Sequence, residues 1–250
     1  MPFDIHPSGM RISVIIPAYN ESALIVETLN SLNRARDYVE ARGEVSIDII
    51  VVDNGSSDTT AELARGHGAR VLFEPVRNVS RARNVGACSA SADVLAFIDA
   101  DTIVPETLLS RIAQEISNRR CLGGSAQIRY APTRPVIRWY LSAWGLLAKI
   151  LGMRQGAAQF CTAGAFHAIC GYDERLYMGE DVDFYWRLAR YARRTGSRLA
   201  LTKDLEVCSS SRRFDRSGLW EILIWTNPIF IAVFRKRKSA WSRWYESPPR

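Results

Sequence analysis

The sequence predicts an α/β fold: a mostly parallel sheet flanked by helices on both faces, with a helical appendage at the C-terminus. Three observations predict it. Short runs that are apolar throughout, not alternating, recur in the first half, as strands buried on both faces require. Segments with helical spacing separate these runs, so strand and helix alternate. Polar clusters then close three of the runs, at Tyr19-Asn20-Glu21, Asp53-Asn54-Gly55 and Asp99-Ala100-Asp101, and ligands of such sheets bind outside the carboxyl ends of the strands.

Taken in order, Ile12 to Ile16 is the first apolar strand, ended by Pro17. Ser22 stands where an N-cap belongs, and Leu24, Ile25, Thr28, Leu29 and Leu32 keep helical spacing. Ile47 to Val52 is the second strand, with helical spacing resuming after Ser57-Asp58. Val71 to Phe73 is the third strand and Val94 to Ile98 the fourth, after which Pro105 suits the first position of a helix. The second half is less regular. Val136 to Leu151 and Asp181 to Arg194 read as helices, Gln159 to Cys170 is mixed, and Leu219 to Phe234 is a last helix bent at Pro228.

A chain of 250 residues, 47% hydrophobic, buries one sizeable core. The organisation expected is an N-terminal extension over residues 1–10, one large domain over 11–213, and a helix with a basic, aromatic tail over 214–250. Five cysteines, an odd number without CxxC spacing, argue against a zinc site or disulfide framework and for a reducing, cytoplasmic compartment. No apolar leader begins the chain. A net charge of +7 suits anionic partners without choosing among them. No stacking module or nucleic-acid motif accompanies it, so nucleic acid is not an expected partner.

Asp99 and Asp101 are two carboxylates just past a buried strand. They read either as ligands of a hard divalent cation that also meets substrate phosphates, or as an ordinary strand-end turn. Tyr19 can stack on a base, Asn20 can bond its edge, and Asp53 points outward from a strand where it can accept from a base N–H. Arg81 and Arg83 open a helix and match a diphosphate, or are surface arginines. Glu180, Asp181 and Asp183 open another helix, where the macrodipole favours acids; the chemical reading is a general base within reach of an acceptor hydroxyl.

In this order and rough spacing, Ile15-Ile16-Pro17-Ala18-Tyr19-Asn20-Glu21, Val52-Asp53-Asn54-Gly55-Ser56-Ser57-Asp58, Arg83-Asn84-Val85-Gly86, Asp99-Ala100-Asp101 and Glu180-Asp181 resemble the inverting family-2 glycosyltransferases of the GT-A fold. The resemblance runs from about Ile12 to Arg213. It implies a Rossmann-like GT-A domain that binds a nucleotide-diphosphate sugar, UDP-linked by preference and GDP-linked as the alternative. Pro17, Ala18, Tyr19 and Glu21 would line the base pocket, and Asp53 would bind the base. Asp99 would face the ribose or sugar, and Asp101 would hold Mn2+ or Mg2+. Asp181 would deprotonate the acceptor, with Glu180 as second choice.

Departures from the family pattern refine this. No histidine lies in the late stretch Glu206 to Phe214, which leaves metal binding to the aspartates, substrate and water and offers Arg212 or Arg213 to the diphosphate. The QxxRW motif of processive members is absent, which points to single transfers. Two other readings stand beside this one: a non-catalytic nucleotide-sugar-binding module of the same fold, and a nucleotidyltransferase. The latter calls for a Gly-rich basic loop where Ala18-Tyr19-Asn20-Glu21 stands. The nearly all-apolar stretch Leu219 to Phe234, followed by Arg235-Lys236-Arg237-Lys238 and Trp241, Arg243, Trp244 and Tyr245, reads two ways. It either packs on the domain or attaches the protein peripherally to the cytoplasmic face of a membrane, consistent with a glycan or lipid-linked acceptor.

Overall fold

Aliphatic runs that must be covered on both sides set the architecture. The computed structural model describes residues 9–241, apart from 44, 119 and 151–155. Strands β1 (Met10–Ala18), β2 (Val45–Asp53), β3 (Arg70–Phe73) and β4 (Val94–Ile98) form a parallel block, separated in sequence by helices α1 (Ile25–Glu40), α2 (Thr60–Gly66) and α3 (Val79–Ser89). Then follow β5 (Thr102–Ile103), α4 (Leu108–Ser117), β6 (Cys121–Tyr130), α5 (Pro135–Ile150), β7 (Ala158–Thr162), α6 (Ala163–Ala168), α7 (Glu180–Arg194) and β8 (Arg198–Ser209). The sheet order is β3-β2-β1-β4-β7-β6-β8-β5. β7 runs antiparallel to both β4 and β6, β6 and β8 are parallel, and β5 returns antiparallel to β8.

Along β1, Ile12, Val14 and Ile16 pack on one face with Leu29, Leu32 and Ile112 of α1 and α4, whereas Ile15 faces Phe97, Phe166 and Phe184 on the other. Both faces are thus buried, as the unbroken apolar runs required. On the second face α3 lies against the sheet at Gly86, where a Cβ would stand 2.5 Å from Ile15 Cγ2. Glycine there sets the helix-to-sheet distance, and hence where the first turn of α3 reaches the strand ends.

Several local expectations are corrected. Ser22 is not the cap of α1, which starts at Ile25; its N–H instead donates to Asp58. α4 starts at Leu108, after a turn in which Pro105 O accepts from Leu108 N, so Pro105 precedes the helix. The stretch Leu219 to Phe234 is not one bent helix. It divides into α9 (Leu219–Trp225) and α10 (Pro228–Phe234), which follow the short α8 (Arg212–Arg216). Proline 228 has no N–H to continue the ladder, and Asn227 Oδ1 accepts from Phe230 N at 3.0 Å to start the new turn. Trp241, expected in a solvated or membrane-facing tail, is fully buried. Its Nε1–H donates to Phe234 O at 2.9 Å, and its ring meets Phe230 edge-on. Arg243, Trp244, Tyr245 and most of the N-terminal extension lie outside the described residues. No helix among the described residues is long and apolar enough to cross a membrane.

Candidate active site

The carboxyl ends of β1, β2 and β4 open on one rim. Ala18 and Asp53 are register partners there, and Asn54 N donates to Ala18 O at 2.8 Å. The Asp53 carboxylate is buried and accepts from Ser56 N at 3.1 Å, which shapes the following turn around Gly55. The Asn20 side chain is committed differently from the expectation that it bonds a base: its Oδ1 accepts from Ser57 N at 2.8 Å, tying the β1 and β2 loops together. The Tyr19 ring carries the Arg77 guanidinium 3.7 Å above its centre, a cation–π contact. Half-buried Pro17 completes this side.

Arg83 is the hub of the site. It is only 3% exposed, and it donates to Asp99 Oδ1 at 2.8 Å and to Glu180 Oε1 at 3.0 Å. Burial works against its charge, but Asp99, Tyr172 and Glu180 outweigh that and hold its pKa up. Its guanidinium is therefore directed to two carboxylates. Arg81, two residues away across Ala82, pairs with Glu74 at 2.8 Å and Glu174 at 3.4 Å. Both arginines are thus paired with carboxylates in this structure, Arg83 with Asp99 and Glu180 and Arg81 with Glu74 and Glu174.

Asp181 stands at the first turn of α7, after Gly179 in the left-handed region at φ 70°. Its two oxygens accept from Gly156 N at 2.6 Å and Val182 N at 2.7 Å. Burial raises its pKa, Glu180 adds to the rise, and together they push it up to about 7 despite Arg83. Asp183 is engaged by Arg187 at 2.7 Å and Arg235 at 3.6 Å. Of the three acids opening α7, Asp181 is thus the one held by neutral backbone donors; Glu180 and Asp183 are tied into ion pairs.

On the opposite side, Glu21 forms an ion pair with Arg212. Burial drives the Glu21 carboxyl up to about 7. Burial, then the charge of Asp99, lifts Asp101 to about 6, while Arg212 and Arg213 pull it down. Glu21 thus pairs with Arg212 and feels the charges of Asp101 and Arg213. Among the described residues no group of three His, Cys, Asp or Glu side chains could hold a metal ion. What the chain offers is Asp99 and Asp101, hard oxygen donors whose mutual charge a divalent cation would relieve, which fits a cation completed by substrate oxygens and water.

Sequence reasoning missed three residues of this site. Gly156 supplies an N–H to Asp181, and a Cβ on it would stand 2.6 Å from Asp181 Cβ. Gln159, buried in β7, donates to Asp181 O at 3.1 Å and accepts from Tyr172 Oη at 3.2 Å. Tyr130, ending β6, is held edge-on by Phe214. Its hydroxyl pKa is raised by burial and by the charges of Asp99, Asp101 and Asp181. No periodicity or motif signalled any of them; they lie near the site only once the sheet is ordered.

This is a Rossmann-like sheet with a carboxylate pair past a central strand and a carboxylate-headed helix across from it, the arrangement of a GT-A glycosyltransferase. The family model for "Glycosyl transferase family 2" matches residues 13–223, and the chain belongs to that family of enzymes. It is 28% identical over 233 residues, 86% of this chain and 74% of the relative, to glycosyltransferase AglE of Haloferax volcanii. Two solved structures share the fold. TarS 1–349 of S. aureus, in complex with UDP-GlcNAc, has a TM-score of 0.63 at 22% identity. The mannosyltransferase PcManGT of Pyrobaculum calidifontis, in complex with GDP-Man and Mn2+, has a TM-score of 0.61 at 20% identity. In each case 84% of this chain is covered, and it spans 60% of the other chain.

Proposed function

We propose that the chain transfers one sugar, with inversion, from a nucleotide-diphosphate sugar to a hydroxyl acceptor, using Asp181 as general base and a divalent cation at Asp99 and Asp101. The observation that carries this reading is the Arg83 bridge. One buried guanidinium bonds both Asp99 and Glu180, so the carboxylate pair and the head of α7, about 80 residues apart in sequence, become two sides of one site.

In this reading Pro17, Ala18, Tyr19 and Asp53 receive the base, for which uridine is favoured and guanosine is the alternative. Asp99 and Asp101 would hold Mn2+ or Mg2+, which would supply charge neutralisation for the departing diphosphate. Arg212 and Arg213, close to Asp101 and Glu21, approach the same phosphates as planar donors. Arg83 positions the two halves of the site. Asp181 accepts the hydroxyl proton, the acceptor oxygen attacks the anomeric carbon in line, and the bond to the diphosphate breaks on the opposite face. A carboxyl lifted to about 7 is matched to proton transfer near neutral pH. Five free cysteines support a reducing, cytoplasmic setting.

Calorimetry and thermal shift with UDP and GDP, with and without Mn2+, test the donor side. A ligand at a hundred times its Kd stabilises by about 2.7 kcal/mol. Asp101→Ala is expected to abolish the Mn2+-dependent part of that gain and keep the fold. Unchanged Mn2+-dependent binding would move the metal site elsewhere.

A further inference from the structure

The C-terminal helices carry an apolar face that sugar transfer does not employ. α9 buries Ile222 and exposes Trp220, 79% accessible, with Leu223 and Ile224 beside it. α10 adds Val233, 62% accessible, and the two helices frame a groove of about 470 Å3 lined by these residues with Phe230 and Phe234. α5 is fixed to the same unit. Trp144 Nε1 donates to Thr226 O at 2.9 Å, the Tyr140 and Thr226 hydroxyls bond each other, and Trp139 and Leu146, seven residues apart on one helix side, are exposed. The exposed apolar groove between α9 and α10 is of the kind that marks an interaction site.

Charge selects the occupant. Lys236, Arg237 and Lys238 are exposed directly after α10, and the Arg237 guanidinium lies 5.5 Å from the centre of the Phe234 ring at the groove edge. Arg138, within α5, and Arg216, at the end of α8, are exposed as well. From Leu219 to Trp241 the sole acid is Glu221, and its carboxylate is turned to Gly218 N at 3.1 Å. A second copy seated here would bring two such basic runs together. A bilayer with anionic headgroups takes both features at once: acyl chains meet the tryptophan and aliphatic side chains, and headgroups meet the lysines and arginine. Arg235 does not share this role, because it pairs with Asp183.

The same unit abuts the base. Tyr177 N donates to Arg235 O at 2.7 Å, and Ile231 Cγ2 stands 3.5 Å from where a Gly179 Cβ would be. We propose that the α5–α9–α10 face docks on an anionic membrane surface and that the acceptor is a lipid-anchored hydroxyl compound reaching Asp181 from that side. The docking stands on the surface alone; the acceptor class rests on Asp181 being the base.

Flotation with phosphatidylcholine vesicles, with and without phosphatidylglycerol, tests the docking. Removing residues 235–250 would delete the buried Trp241, so point variants on exposed positions are the cleaner probe. The full chain is expected to float only with phosphatidylglycerol and to be released by salt. Lys236→Gln with Lys238→Gln is expected to weaken binding roughly 30-fold, and Trp220→Asp with Val233→Asp at least as much, with circular dichroism unchanged. A chain that stays unbound at low salt overturns the proposal. So does binding indifferent to Trp220→Asp and Val233→Asp, or a dimer in light scattering that those substitutions dissociate. For the acceptor, label from a UDP-sugar should enter the solvent-extractable lipid of added bacterial membranes. Label that stays aqueous while vesicles bind and Mn2+-dependent UDP binding persists overturns the lipid acceptor; loss of that UDP binding instead tells against the donor reading.

Discussion

The two halves of the sheet are built by different means. In β1 to β4 the burial is aliphatic and continuous, and the rim side chains take their places from lying at a strand's last residues or within three residues past its end. In β6 to β8 the strands carry Gly123, Gly124, Ser125 and Gln159 as buried positions or close approaches, and placement depends on individual polar bonds. Gln159 holds the backbone of Asp181, Gly156 holds its carboxylate, and Arg83 reaches across from the first half to Glu180. Position in the first half is a property of the sheet. Position in the second half is a property of a few hydrogen bonds, so single substitutions there should misplace chemistry without dissolving the fold.

Arg83→Met tests that contrast most severely, because Arg83 belongs to the first half and serves the second. Removing one partner of a buried ion pair costs about 3–5 kcal/mol, and for a chain of this size each kcal/mol lowers Tm by about 2–4 °C. A loss of roughly 10 °C is expected in a melting scan, together with loss of transfer. A variant as stable as the parent would mean that the halves are joined by something other than this bridge.

Gly156→Ala should separate placement from stability. Its Cβ would stand 2.6 Å from Asp181 Cβ, and backbone or carboxylate has to shift. Misplacing a reacting group by about 1 Å costs on the order of a hundredfold in rate. The expected pattern is a kcat reduced by about that factor with UDP and Mn2+ affinity unchanged in calorimetry. A parallel fall in donor affinity would show that Gly156 serves the donor side as well. Asp181→Asn is a less neutral probe than its shape suggests. Both carboxylate oxygens accept backbone N–H bonds, so an amide NH2 must face one of those donors. Loss of about 10²–10⁴-fold in transfer supports the base role only if donor binding is retained.

The same contrast explains what was legible in the sequence. The first four strands were readable because an aliphatic run covered on both faces has no other common use, and the polar triplets at their ends marked the rim. The carboxylates of the site, Asp99, Asp101 and Asp181, came from these local signals and from the family resemblance. β6 and β8 were not read. Cys121–Tyr130 opens with Cys-Leu-Gly-Gly-Ser and Arg198–Ser209 carries Lys203, Asp204 and Glu206, so neither has a long apolar run or a clean alternation. The direction of Arg81 and Arg83 was unreadable for a related reason. Ala82 alone separates them in sequence, but positions two apart on a helix point about 200° apart, and which carboxylates wait on each side depends on strands not yet placed.

A smaller effect divides the cost of the site between the halves. In the unfolded chain Asp and Glu side chains ionise near their usual 3.8 and 4.5, whereas in the fold Asp101 is lifted to about 6 and Glu21 and Asp181 to about 7. Between those limits the folded protein binds more protons than the unfolded one, so without metal its stability falls as pH rises through about 4 to 7. Asp173, held near 2 by Arg175, acts in the other sense, but only below pH 4. These carboxyls keep partial contact with solvent, which shrinks each contribution, and a drop of a few degrees in Tm from pH 5 to pH 8 is expected in the presence of a chelator. Glu21 and Asp101 belong to the parallel half and Asp181 to the other. Glu21→Gln and Asp181→Asn should therefore each flatten part of the slope, and the larger flattening locates the half that bears more of the unfavourable charge. A metal-free Tm that rises over the same interval would mean that these carboxyls are already ionised in the folded protein at pH 5.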